Sequence, residues 1–97
     1  MTEIEPPYMI MSNEVEYHAH NINPLDEDKR IRVFGSQLME AVINDATLEN
    51  FNWSVGFFFK TGIHLIERFP SRETELNKIL ITFWRKMNAR YKILKGE

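Results

Sequence analysis

Six cations near the carboxyl end have the clearest capacity for chemistry. Lys78, Arg85, Lys86, Arg90, Lys92 and Lys95 follow Glu75 with no acid among them, and Trp84 and Tyr91 are interleaved. Guanidinium groups hold phosphate or carboxylate oxygens in pairs, and aromatic faces stack on a base or receive a cation. The pattern predicts recognition of an anionic ligand, nucleic acid or a nucleotide, by Arg85, Lys86, Arg90 and Lys92 with Trp84 or Tyr91. The competing account is plain helix chemistry, since basic residues near a helix C-terminus also complement its dipole.

Other candidates point to less. His18 and His20 form a His-x-His pair, which on a strand sets both imidazoles on one face, with Glu14, Glu16 or His64 as conceivable further ligands. A lone pair of this kind in a polar arm falls short of a metal site, and no metal is predicted. Asp26, Glu27 and Asp28 could serve acid–base work, yet three acids at a helix start match the dipole there. Ser36, Ser54 and Ser71 lack the context of an activated nucleophile. Gly56 and Gly62 do not form a phosphate loop, because no Gly-rich turn and no following Lys-Ser or Lys-Thr accompanies them. No catalytic residue and no cofactor is predicted, so the expectation is a non-enzymatic binding protein.

The cations need an element to hold them. Residues 71–95 read as one long helix, with Ser71 placed to cap it after Pro70 and Glu73 and Glu75 in its first turn. Leu76, Leu80, Phe83, Met87, Tyr91 and Leu94 recur at steps of three and four, which makes one apolar stripe. Lys78, Arg85 and Lys92 fall a heptad apart on the opposite side, and Lys86 and Arg90 flank the stripe.

A second helix is expected from Glu27 to Ile43, capped by Asp26, with Ile31, Phe34, Leu38, Ala41 and Val42 on one face and Gly35 marking close packing. The stretch 51–69 carries two patterns. Phe51, Trp53, Val55, Phe57 and Phe59 alternate as in a strand, with Thr61-Gly62 as a turn, which would give an α+β domain with a hairpin at 51–69. As a helix, Phe51, Val55, Phe58, Phe59, Gly62, Ile66 and Phe69 share one face and Lys60, His64, Glu67 and Arg68 the other. The second half alternates poorly, so a helix is predicted, with Asn52 as its cap and Pro70 as its end. Residues 8–20 show a weaker strand signal, a short hairpin or extended arm, before a linker containing Pro24.

The 97 residues predict a single domain, with 1–25 as arm and linker and 26–97 as a helical body. The fold class is mainly α, a three-helix bundle-like domain. Its size leaves a modest core, which seven Phe and two Trp help to fill. There is no cysteine, which excludes disulfides and thiolate ligands. No apolar run approaches a membrane span and no secretion signal opens the sequence, so a soluble, cytoplasmic protein is expected.

Net charge is −2, but unevenly spread: no Lys or Arg precedes Lys29, whereas seven acids do. The alternative to an anionic ligand is therefore a protein–protein interaction module, a regulator or inhibitor docking through its acidic arm and exposed aromatics. Ile81, Trp53 and Phe57 fall outside the apolar faces of their helices, and this surplus predicts a homo-oligomer.

Overall fold

In the computed structural model, residues 27–96 are described, and they form three helices with no strand among the described residues. The hairpin or arm at 8–20, the pair His18 and His20, and the Asp26 cap lie outside them. The first helix, α1, runs as Glu27–Val33, a π-helical segment Phe34–Leu38, and Met39–Asp45. The second, α2, is Phe51–Arg68, and the third, α3, is Glu73–Leu94. A 3-10 turn, Pro70–Arg72, joins the last two.

The stretch that could have been a hairpin is one unbroken helix, and the α+β alternative is thereby excluded for 51–69. Its second half decides the matter physically, because Lys60, His64, Glu67 and Arg68 all face solvent along one side. A returning strand would have turned at least one of His64, Glu67 and Arg68 into the core, whichever face it buried.

The expected cap of α2 is corrected. Asn52 is exposed, and the start is built instead by Thr47 and Asn50. The Thr47 amide donates to Asn50 Oδ1 at 2.8 Å, and the Asn50 amide donates to Thr47 Oγ1 at 3.1 Å. This reciprocal arrangement is a capping box with Asn in place of Glu. Asn50 is buried, and its amide group also donates to the Asp45 carbonyl at 3.4 Å while its Oδ1 accepts from the buried Ser54 hydroxyl at 3.3 Å. One side chain thus ties the end of α1 to the beginning of α2.

The start of α3 is corrected as well. Phe69, placed before Pro70, is held extended at φ −126° and ψ 71°, which stops α2. Ser71 falls inside the 3-10 turn, and α3 begins at Glu73 behind Arg72 with no side-chain cap. Arg72 works across the fold instead. Its guanidinium donates to Glu27 at 2.9 Å, Asp28 at 2.7 Å and Glu75 at 2.9 Å. Hydrogen bonds to these three carboxylates, Glu27 first, push the Arg72 pKa further up. The acids at the head of α1 are therefore the partners of a clamp on the head of α3.

The π segment explains a further departure. Ser36 Oγ donates to the Arg32 carbonyl at 2.6 Å where the turn widens. One extra residue in that turn sets everything after it back by about 100° around the axis. Ala41, expected on the inner face, is consequently only half-buried, while Met39 and Ala46 are buried beside Ile31, Phe34, Leu38 and Val42.

The core closes around aromatic rings. Phe34 of α1 stacks on Phe58 of α2 at 4.3 Å between centroids, and Phe58 stacks on Phe83 of α3 at 4.1 Å. Leu76, Leu80 and Met87 complete the buried stripe of α3. Gly62 permits the close approach, because a Cβ there would lie 2.8 Å from Leu80 Cδ2 and 3.0 Å from Phe34 Cζ. At the far end of α3, Gly96 takes φ +79° and its amide bonds the Ile93 carbonyl at 3.0 Å, a left-handed glycine stop.

Candidate binding surface on helix α3

Successive residues of a helix are rotated by about 100°, so the contacts of α3 fix where each cation points. Four expected stripe residues, Leu76, Leu80, Phe83 and Met87, are buried, and they divide the helix into two edges. On the edge facing α2, Trp84 meets Phe59 edge-on at 6.4 Å and Tyr91 packs on Phe51 at 4.7 Å. On the edge facing α1, an Arg90 guanidinium nitrogen donates to the Asn44 carbonyl at 3.4 Å. Lys86 lies one turn before Arg90 on that same side.

The predicted ligand-binding residues therefore do not converge. Trp84 and Tyr91 belong to one edge, Arg90 and Lys86 to the other, and Arg85 and Lys92 to the exposed back. Arg90 is already engaged with one carbonyl near the C-terminus of α1, that of Asn44, where a cation complements the helix dipole. Its Nε is buried and has no hydrogen-bond partner among the described residues. Tyr91 carries Lys95 Nζ 5.3 Å above its ring. Both aromatics remain accessible, Trp84 at 45% and Tyr91 at 37%.

What the structure does bring together is a groove between α2 and α3. Val55, Phe59, Asn77, Leu80, Ile81 and Trp84 line an open apolar space of about 690 Å³. The aromatic chain of the core runs out into it: Phe83 meets Phe59 edge-on at 6.0 Å, and Phe59 carries Trp84. Ile81 stands at the lip, 52% exposed. Lys78 and Arg85 lie three residues before and four after Ile81, and Lys92 follows a heptad later, so a cationic row runs beside the groove. All three are exposed, and none forms an ion pair among the described residues.

Of the groove residues, Ile81 was signalled by its place off the apolar stripe and Val55 and Phe59 by the apolar face of α2. The Arg72 clamp had only its i,i+3 partner Glu75 as a local signal, because Glu27 and Asp28 are more than forty residues away. A second, mixed cleft between α1 and α3 is lined in part by Lys29, Arg32, Gln37, Glu75 and Ile79, with Glu75 already held by Arg72. His64 is exposed on the polar face of α2, and no cluster of three metal-ligating side chains occurs among the described residues. No helix there is long and apolar enough to cross a membrane.

No protein-family model, curated protein or solved structure matches the chain.

Proposed function

We propose that this protein is a non-enzymatic binding module that takes an acidic, amphipathic segment of a partner protein into the α2–α3 groove. The observation that carries the reading is the adjacency of an apolar floor, shared by α2 and α3, and a cationic row on α3 without ion pairs among the described residues. An apolar segment edge fills the space between Phe59, Ile81 and Trp84, while carboxylates on its flank meet Lys78, Arg85 and Lys92. Trp84, braced by Phe59, is the expected anchor, since rigid aromatics dominate such interfaces.

This reading replaces the expected nucleic acid or nucleotide with an acidic protein segment as the anionic ligand. Nucleic acid wants cations converging on a phosphate track beside stacking faces. Here Arg90 is spent on Asn44, and Trp84 and Tyr91 sit on the edge away from it. A cytoplasmic setting belongs to the same proposal, and a chain without cysteine is compatible with it.

The test is fluorescence anisotropy with a labelled amphipathic helical peptide carrying leucine at i, i+3, i+4 and i+7 and glutamate elsewhere. Controls are the same peptide with lysine for glutamate and a single-stranded DNA of equal charge. The acidic peptide is expected to bind roughly tenfold more tightly than its lysine counterpart, with the preference lost at high salt and in Lys78→Glu/Arg85→Glu. Binding of DNA but not of the acidic peptide overturns the reading in favour of nucleic acid. Light scattering on the same samples reports whether the occupant is a second copy of the chain, the homo-oligomer that the surplus of apolar residues predicts.

A further inference from the structure

The groove asks for an apolar, acidic segment, and the chain itself carries one. Before Glu27 the sequence holds Glu3, Glu5, Glu14, Glu16 and Asp26 and no Lys or Arg, with Tyr8, Met9, Ile10, Met11, Val15 and Tyr17 among them. From Lys29 onward twelve Lys and Arg stand against seven acids. Around Glu14 and Glu16, carboxylates alternate with Val15 and Tyr17, so an extended stretch there sets apolar groups on one side and acids on the other.

The attachment point is suitably placed. Glu27 is bonded to Arg72, and Asn77 at the near end of the groove follows Arg72 by five residues, a rise of about 7.5 Å. Crossing the breadth of one helix adds about 10 Å. The nine residues 18–26 reach up to roughly 30 Å when extended, which covers that path with slack.

We infer that residues 8–17 of the chain occupy its own α2–α3 groove, Val15 and Tyr17 against Ile81 and Trp84 and Glu14 and Glu16 beside Lys78 and Arg85, as an intramolecular competitor of the partner. This rests on the proposed docking function for its meaning, though not for its test. An acidic partner then binds only the fraction of molecules whose groove is open, and weakening the internal contact raises its apparent affinity in proportion. Charge repulsion from the five acids also selects against partners that lack a stronger apolar anchor than Tyr17.

The experiment uses the full chain. With no native cysteine, Ser12→Cys takes a single nitroxide, and amide broadening is read in a nitrogen-15 spectrum. Broadening is expected at Val55, Phe59, Ile81 and Trp84, absent at Glu40 and Asn44, and lost in Lys78→Glu/Arg85→Glu. Equal broadening on all faces, or broadening indifferent to the charge reversal, overturns the inference. So does broadening that appears when labelled, unenriched chain is mixed with unlabelled, enriched chain, because the contact is then between copies.

A second measurement separates this inference from the function it rests on. The acidic probe peptide is titrated into wild type and into Glu3→Gln/Glu5→Gln/Glu14→Gln/Glu16→Gln, with an expected gain in affinity of roughly fivefold or more in the neutralised chain. Equal affinities without local broadening sink the internal contact and leave docking standing. Failure of the probe to bind either chain, with local broadening intact, sinks docking and leaves the internal contact standing.

Discussion

Two glycines on α2, Gly56 and Gly62, sit in opposite worlds. Gly62 is buried, and any Cβ there would press on Leu80 and Phe34. Gly56 is exposed, and a Cβ there would meet nothing within 4 Å among the described residues. A glycine inside a helix costs roughly 0.5 to 1 kcal/mol relative to alanine. At Gly62 that cost is offset inside the molecule, by the close packing of three helices. At Gly56 no intramolecular contact among the described residues offsets it. The first glycine marks the finished face of the fold, and the second marks the edge where something else could approach.

The finished face should break hard. Phe58 is fully buried and stacks on both Phe34 and Phe83, so Phe58→Ala removes the ring that joins all three helices at the centre. A loss of about 3 to 5 kcal/mol is expected, large against the stability of a small domain. Urea unfolding followed by circular dichroism measures it. A loss under about 1 kcal/mol would mean that the stack is peripheral to the core.

Gly62→Ala tests the comparison directly. Overpacking against Leu80 and Phe34 costs about 1 to 3 kcal/mol, and the gain in helix propensity returns up to about 1 kcal/mol. A net destabilisation of roughly 1 kcal/mol is expected in the same urea titration. Stabilisation would show that Leu80, whose methyl is the nearest atom, moves aside without penalty.

How far these faces could be read in advance differs residue by residue. The stripe Leu76, Leu80, Phe83 and Met87 was legible because α3 is regular and its spacing never slips. Tyr91 broke the pattern for a geometric reason: it rests on Phe51, the first residue of α2, beyond which α2 no longer covers α3. Met39 and Ala46 were hidden by the π segment, whose extra residue no 3.6-residue template anticipates. Arg85 and Arg90 look alike in sequence, but only tertiary packing turns one to solvent and the other onto Asn44. The groove was half legible: Ile81 announced itself, whereas its neighbourhood with Val55 and Phe59 depends on how α2 and α3 cross.

The join between the two faces gives an intermediate effect. Thr47→Ala removes the hydroxyl that accepts from the Asn50 amide and so opens half of the capping box. A cost of about 1 kcal/mol is expected, read as a lower urea midpoint with an unchanged slope. Asn50→Ala should cost more than Thr47→Ala, because it also strips the Asp45 carbonyl and the Ser54 hydroxyl of their partner. The reverse order would move the weight of the junction from Asn50 to Thr47.

Gly56→Ala carries the smallest expected effect on folding and probes the open edge most sharply. With an ordinary helical backbone and nothing described near its Cβ position, alanine should stabilise α2 by roughly 0.5 to 1 kcal/mol and raise the urea midpoint. The same methyl lies one turn before Phe59, which lines the groove, and so tests whether a segment in the groove also leans on the outer side of α2. A variant that folds more stably yet binds the acidic peptide several-fold more weakly would mean that the missing side chain serves an occupant. If stability rises and the acidic peptide binds unchanged, the proposed occupant keeps to the α3 side, against Ile81 and Trp84, and Trp84→Ala then becomes the substitution expected to weaken binding most.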